Sequence, residues 1–101
     1  MARIELAPEV LQDFDRFLDH LEQFDDDVPG RIAEILEAIQ ILRHSPEIGR
    51  KVKAGMRELV IGHGSHGYVA LYRFVPQIDV AFVLAIRAQR EADYKPHSGP
   101  P

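Results

Sequence analysis

The sequence predicts an α+β domain: a helical hairpin packed on one face of a mostly antiparallel sheet of about four strands, in the order β-α-α-β-β-β. Three observations predict it. Residues 8–23 and 29–44 carry apolar side chains at helical spacing, and each stretch opens at a proline. Residues 56–62, 68–75 and 79–88 are apolar runs rich in β-branched and aromatic residues, with short turns between them. A short run of alternating polarity, Ala2 to Leu6, precedes them all.

In that first run Ile4 faces one way and Arg3 and Glu5 the other, which reads as a short strand bounded by Pro8. Pro8 suits the first helical position, because the N–H it lacks would have no partner there. Val10, Phe14, Phe17, Leu18, Leu21 and Phe24 form the apolar stripe of the first helix. Asp13, Asp15, Asp19 and Glu22 lie mostly off that stripe and read as a solvated face, not as an acid–base pair. Three like charges, Asp25-Asp26-Asp27, stop the helix at its negative end. Pro29 opens the second helix, whose stripe is Ile32, Ile35, Leu36, Ile39 and Leu42. Arg43 and His44 suit its last turn, and Ser45-Pro46 ends it. The short connection makes the pair an antiparallel hairpin. Both faces of 68–75 and 79–88 are largely apolar, which places those strands centrally.

With 101 residues the chain is one domain, read as 1–94 with a flexible Pro- and Gly-rich tail over 95–101. The absence of cysteine excludes a disulfide framework and thiolate chemistry. No leader-like or membrane-spanning stretch is present, so a cytoplasmic location is expected. The net charge of −4 argues against a general nucleic-acid binder, but it is unevenly distributed. Residues 1–40 hold three basic and eleven acidic side chains, whereas 41–101 hold nine basic and five acidic. The domain is dipolar, with its cations on the C-terminal half.

Gly62-His63-Gly64-Ser65-His66-Gly67 fits the spelling G-x-G-x-x-G, but a strand follows it where the pyrophosphate would need a helix N-terminus. The glycines read better as hairpin residues. His63 and His66 find no third or fourth ligand, and His20, His44 and His97 are scattered, so neither a metal nor a cofactor is expected. Lys51, Lys53, Arg57, Arg73, Arg87 and Arg90 are the serious constellation. Antiparallel strands can bring the ends at 57, 73 and 87 together, and several cations on one surface suit an anionic partner. Individually each arginine reads as an ion-pair partner of the acidic helices. Tyr68 and Tyr72 share a strand face and read as core residues, while Tyr94 lies beyond the last strand near Arg90.

Four segments in order carry a resemblance: Pro46-Glu47-Ile48-Gly49-Arg50, Arg57-Glu58-Leu59-Val60, Gly67-Tyr68-Val69-Ala70-Leu71-Tyr72-Arg73, and Arg87 to Tyr94. Over residues 2–94 the chain resembles the RelE/ParE family of toxins from bacterial toxin–antitoxin and plasmid-stabilisation systems. The resemblance implies a growth inhibitor covered by a cognate antitoxin, with Arg50, Arg57, Tyr68, Arg73, Arg87, Arg90 and Tyr94 as the surface for antitoxin or target. It is compatible with a homodimer or a toxin–antitoxin hetero-oligomer. Within the family, RelE-like members cut mRNA on the ribosome. That activity would fall here to Lys51, Lys53, Arg73, Arg90 and Tyr94, which would handle phosphate, transition-state charge and proton transfer. ParE-like members are described as DNA gyrase poisons without catalysis of their own. RelE-like enzymes commonly place an arginine after the mid-sheet tyrosine, and this chain has Val69 there. The acidic balance also suits ribosomal RNA poorly, so the gyrase reading is preferred. The alternatives are the mRNA endonuclease and a non-toxic binding module of the same fold.

Overall fold

The computed structural model describes residues 1–21, 28–62, 67–91 and 93–94. The aspartate run at 25–27, the hairpin residues 63–66 with both their histidines, and the tail at 95–101 lie outside these.

Strand β1 (Arg3–Leu6) leads into helix α1 (Pro8–Leu21), and helix α2 (Val28–Ile39) follows. A 3-10 turn (Gln40–Arg43) continues α2, then come β2 (Arg50–Lys51), β3 (Arg57–Ile61), β4 (Tyr68–Val75) and β5 (Val80–Ala88). The strands form one sheet in the order β1-β5-β4-β3-β2. β1 runs parallel to β5 and every other pairing is antiparallel. The expected β-α-α-β-β-β order is present, with one addition: the sheet has five strands where about four were expected. The extra strand, β2, is two residues long, too short to carry any period.

Apolar periodicity places the helices. Val10, Phe14 and Phe17 of α1 and Ile35 and Ile39 of α2 are buried against Ile61, Tyr68, Ala70, Tyr72, Ala81, Val83 and Ile86 of the sheet. Phe17 meets Tyr68 with ring centroids 5.2 Å apart. The helical stretch expected to reach His44 tightens into a 3-10 turn after Ile39, and Leu42 is fully buried there. The carbonyl of Arg43 then accepts the N–H of Ala2, tying the end of the hairpin to the start of β1.

Strand alternation assigns every other residue to each face of the sheet. Tyr68, Ala70 and Tyr72 of β4 face the helices. Val69, Leu71 and Arg73 face the other way, onto the open face of the sheet. The β4–β5 register shifts between Leu71 and Tyr72, where Leu71 pairs with Ala85 but Tyr72 with Val83. Leu84 is therefore the extra residue of a β-bulge. The bulge puts Val83 and Ile86 on one face although they are three positions apart, which explains how β5 buries both.

Candidate functional site

Three of the resembling segments meet at one structural joint. The Gly49 N–H donates to the Tyr72 hydroxyl at 2.9 Å. A Cβ at position 49 would lie 2.7 Å from the Tyr72 ring and 2.7 Å from the Glu58 carbonyl oxygen, so only glycine lets this loop approach so closely. Arg57 closes the joint by donating to the Glu47 and Gly49 carbonyls, both at 2.9 Å. Burial pushes the Tyr72 phenol above its usual pKa, and the Gly49 N–H offsets only part of that.

On the open face the node is Glu58. Its Oε1 accepts from Arg50 Nε at 3.0 Å and Nη2 at 2.7 Å, and its Oε2 accepts from the Tyr94 hydroxyl at 2.7 Å. The guanidinium of Arg87 lies 5.3 Å from the centre of the Tyr94 ring, a cation–π distance. Glu58 pairs with Leu71, and Arg87 with Val69, so Tyr94 spans β4 from β3 to β5. Burial alone would raise the Glu58 carboxyl. The hydrogen bonds from Tyr94 and Arg50, with the charges of Arg50 and Arg87, outweigh it and hold the group below its usual value. Tyr94 moves the other way: burial, then the hydrogen bond to Glu58 and its charge, push the phenol far above the ordinary tyrosine range. A phenol held there is a poor source of phenolate at neutral pH.

A second carboxylate lies under the helices. Asp13 is 2% exposed, its Oδ2 accepts the Ile86 N–H at 2.9 Å, and its Oδ1 accepts from Arg16 at 2.6 Å. Arg16 also reaches the Ile86 carbonyl at 3.4 Å and Glu91 Oε1 at 3.0 Å. β1 pairs with β5 only as far as Val83, where the Ala7 N–H meets the Val83 carbonyl. Beyond that point two side chains of α1 take the place of the missing strand. Glu91 Oε1 accepts the Ala88 N–H at 2.8 Å as well, and Arg87 donates to the Glu91 carbonyl at 2.9 Å, so the same network seats the turn that leads to Tyr94.

The expected convergence of Arg57, Arg73 and Arg87 does not occur. Arg57 pairs with Tyr72 and so shares the helix-facing side, whereas Arg73 and Arg87 are on the open face near opposite ends of β4. Arg73 donates to the Ala54 carbonyl at 2.8 Å, and Arg87 is turned to the backbone carbonyls after β5. Among the described residues the acidic helices therefore make no ion pair with these three, whose polar contacts are mainly backbone oxygens. Tyr68, expected at the binding surface, is a core residue at 7% exposure. Asp13, read as part of a solvated face, is buried. What the fold does gather is Lys53 and Arg73 at the β2–β3 loop with Arg50 on the same open side, all exposed, and Arg87 with Tyr94 across the sheet; Lys51, also exposed, pairs with Arg57 and so lies on the helix-facing side. Arg90 is exposed on the turn after β5.

Residues 4–93 match the family described as the ParE toxin of the type II toxin–antitoxin system parDE. This chain belongs to that family. The toxin is also 31% identical over 93 residues to Toxin RelE3 of Caulobacter vibrioides, covering 90% of this chain and 98% of that protein. Among solved structures its fold is similar to a chain of the chromosomal ParDE system of P. aeruginosa, with a TM-score of 0.73 at 18% identity over 87% and 96% of the two chains. A chain of the intact E. coli RelBE toxin–antitoxin complex superposes with a TM-score of 0.60 at 14% identity, over 90% and 100%. At those identities the solved structures establish the fold.

The two buried carboxylates of this toxin's networks escaped sequence reading, as did Arg16 and Glu91 that join the first of them. Asp13 stands three residues after Val10 and four before Phe17, inside the helical stripe, and that spacing is the signal that could have found it. Glu58 carries no such signal, because its partner Tyr94 is 36 residues away.

Proposed function

We propose that this toxin acts as a ParE-like inhibitor of DNA gyrase that binds its target as a folded surface, and that a cognate antitoxin neutralises it. The observation that carries the reading is the state of Tyr94. Its hydroxyl is given to Glu58, its ring is stacked with Arg87, and its proton is held tightly. Of the residues a nuclease centre would use, Tyr94 is thus engaged with Glu58 and Arg87, and it contacts none of Lys51, Lys53, Arg73 and Arg90 in a described hydrogen bond. The toxins similar in fold come from complexes or systems that pair a toxin with an antitoxin, which supports such a partner here. Its acidic side chains would meet Lys53 and Arg73. Purified toxin in molar excess over gyrase should abolish supercoiling of relaxed plasmid. Unchanged supercoiling would remove the reading.

One observation favours the mRNA endonuclease as a second reading. Lys53 is exposed next to Ala54, whose carbonyl holds Arg73, Lys51 is exposed at the same loop, and among the described residues neither lysine makes an ion pair. Primer extension on translated message would then show cuts that Lys51→Ala together with Lys53→Ala removes.

A further inference from the structure

The donors around Glu58 form a set that also binds phosphate: an arginine presenting Nε and Nη2, a phenol hydroxyl, and a second guanidinium held within reach of the ring between them. In this chain that cradle is filled from within. Both Glu58 oxygens are occupied, the residue is 8% exposed, and it sits on the open face of β3 between Arg50 and the Tyr94–Arg87 pair. A phosphate approaching either arginine would meet a fixed negative charge and find the donors already taken. We propose that Glu58 is a specificity-determining residue: an internal anion that keeps the open face from binding nucleic-acid phosphates and so reserves it for a protein surface.

The inference deepens the protein-binding reading above and rests on it for the identity of the partner, but not for its test. The alternation of β3 supplies the placement. Glu58 is paired with Arg50 on one side and Leu71 on the other, so its side chain must point to the open face whenever β3 pairs in this register. Of the other carboxylates of the C-terminal half with described contacts, Glu47 pairs with Arg57, Glu91 with Arg16, Asp79 with the N-terminal amine, and Asp93 accepts the N–H of Tyr94. Of the described carboxylates Glu58 alone lies between Arg50 and the Tyr94–Arg87 pair, so removing it takes away the negative charge that joins them.

The test uses a fluorescein-labelled single-stranded RNA of about a dozen nucleotides and the full chain, followed by anisotropy across a salt series. Glu58→Ala and Glu58→Gln should each bind at least tenfold tighter than the wild type. Their salt slope should steepen by about one, the value for one or two added phosphate contacts, and adding Arg50→Ala should return both to the wild-type level. A merely structural role for Glu58 would not produce that salt slope. Binding within twofold of the wild type in a variant that keeps its thermal transition would overturn the proposal. If neither variant folds, the wild type decides. Arg50→Ala alone should change its RNA affinity less than twofold, and a tenfold loss would show that the face binds phosphate with Glu58 in place. Gyrase inhibition is read separately. A gain of RNA binding in the variants beside an inert wild type on gyrase would keep this inference and discard the gyrase target.

Discussion

Among the described residues the two faces of the sheet each hold one buried carboxylate, and the two are held differently. Asp13, on the helix side, accepts a backbone N–H of β5, and its arginine partner is itself only 28% exposed. Glu58, on the open side, accepts from side chains alone: Arg50, whose side chain is 68% exposed, and Tyr94 from the end of the chain. A carboxylate that completes a backbone ladder leaves an unpaired N–H behind when it is removed. A carboxylate held by mobile side chains leaves groups that can turn to water. The helix face is therefore scaffold and the open face is adjustable, although both look like ion pairs.

The strongest way to break that comparison is Asp13→Ala. It orphans the Ile86 N–H and strips Arg16 of its shortest partner, so the expected loss is about 2–4 kcal/mol, read by urea unfolding. Asp13→Asn should lose less, because an amide oxygen still accepts from Ile86. A loss below about 1 kcal/mol for Asp13→Ala would mean that the side-chain substitute for β1 contributes little. Next in size is Gly49→Ala at the joint between the faces. The added methyl meets the Tyr72 ring and the Glu58 carbonyl at 2.7 Å, which predicts a loss of about 1–3 kcal/mol. A neutral result would show that the loop yields. Tyr94→Phe should be milder, about 1 kcal/mol, since Arg50 still holds Glu58. On the gyrase reading this variant also keeps its growth inhibition on induced expression, and a loss of toxicity with intact folding would point to chemistry at the phenol.

Much of the scaffold was legible because it is written in periods. Proline at the helix starts, stripes at three- and four-residue spacing, and apolar runs separated by turns gave both helices and the strands β1, β3, β4 and β5 within a few residues. The candidate site was less legible because it depends on register. Arg57, Arg73 and Arg87 look equivalent along the chain, yet the pairing of Arg57 with Tyr72 sends its side chain to the helix side while Arg73, next along from Tyr72, goes to the other. The bulge at Leu84 is equally silent in sequence, and without it Val83 and Ile86 could not share a face. The resembling segments are recognisable along the chain, but the joint that Gly49, Arg57 and Tyr72 brace is a long-range contact that no local spacing shows.

The smallest effect is also the one that separates the faces most cleanly, because it follows the charge of one group. Glu58 has its carboxyl pKa lowered by folding from an ordinary value of 4.5, so the folded state binds fewer protons there than the unfolded chain. Its contribution to stability is present above the unfolded value and is lost as pH falls through the folded one. Wild type and Glu58→Gln should therefore differ most near neutrality and converge in acid below about pH 4.5. Tyr94, raised from an ordinary value of 10.0, has the opposite sign: its contribution is intact below pH 10 and declines as pH climbs beyond it. Unfolding curves for wild type, Glu58→Gln and Tyr94→Phe should thus converge at opposite ends of the pH scale. A Glu58→Gln difference that persisted unchanged in acid would mean that the open face is held by the packing of Tyr94 and Arg87 and not by the carboxylate between them.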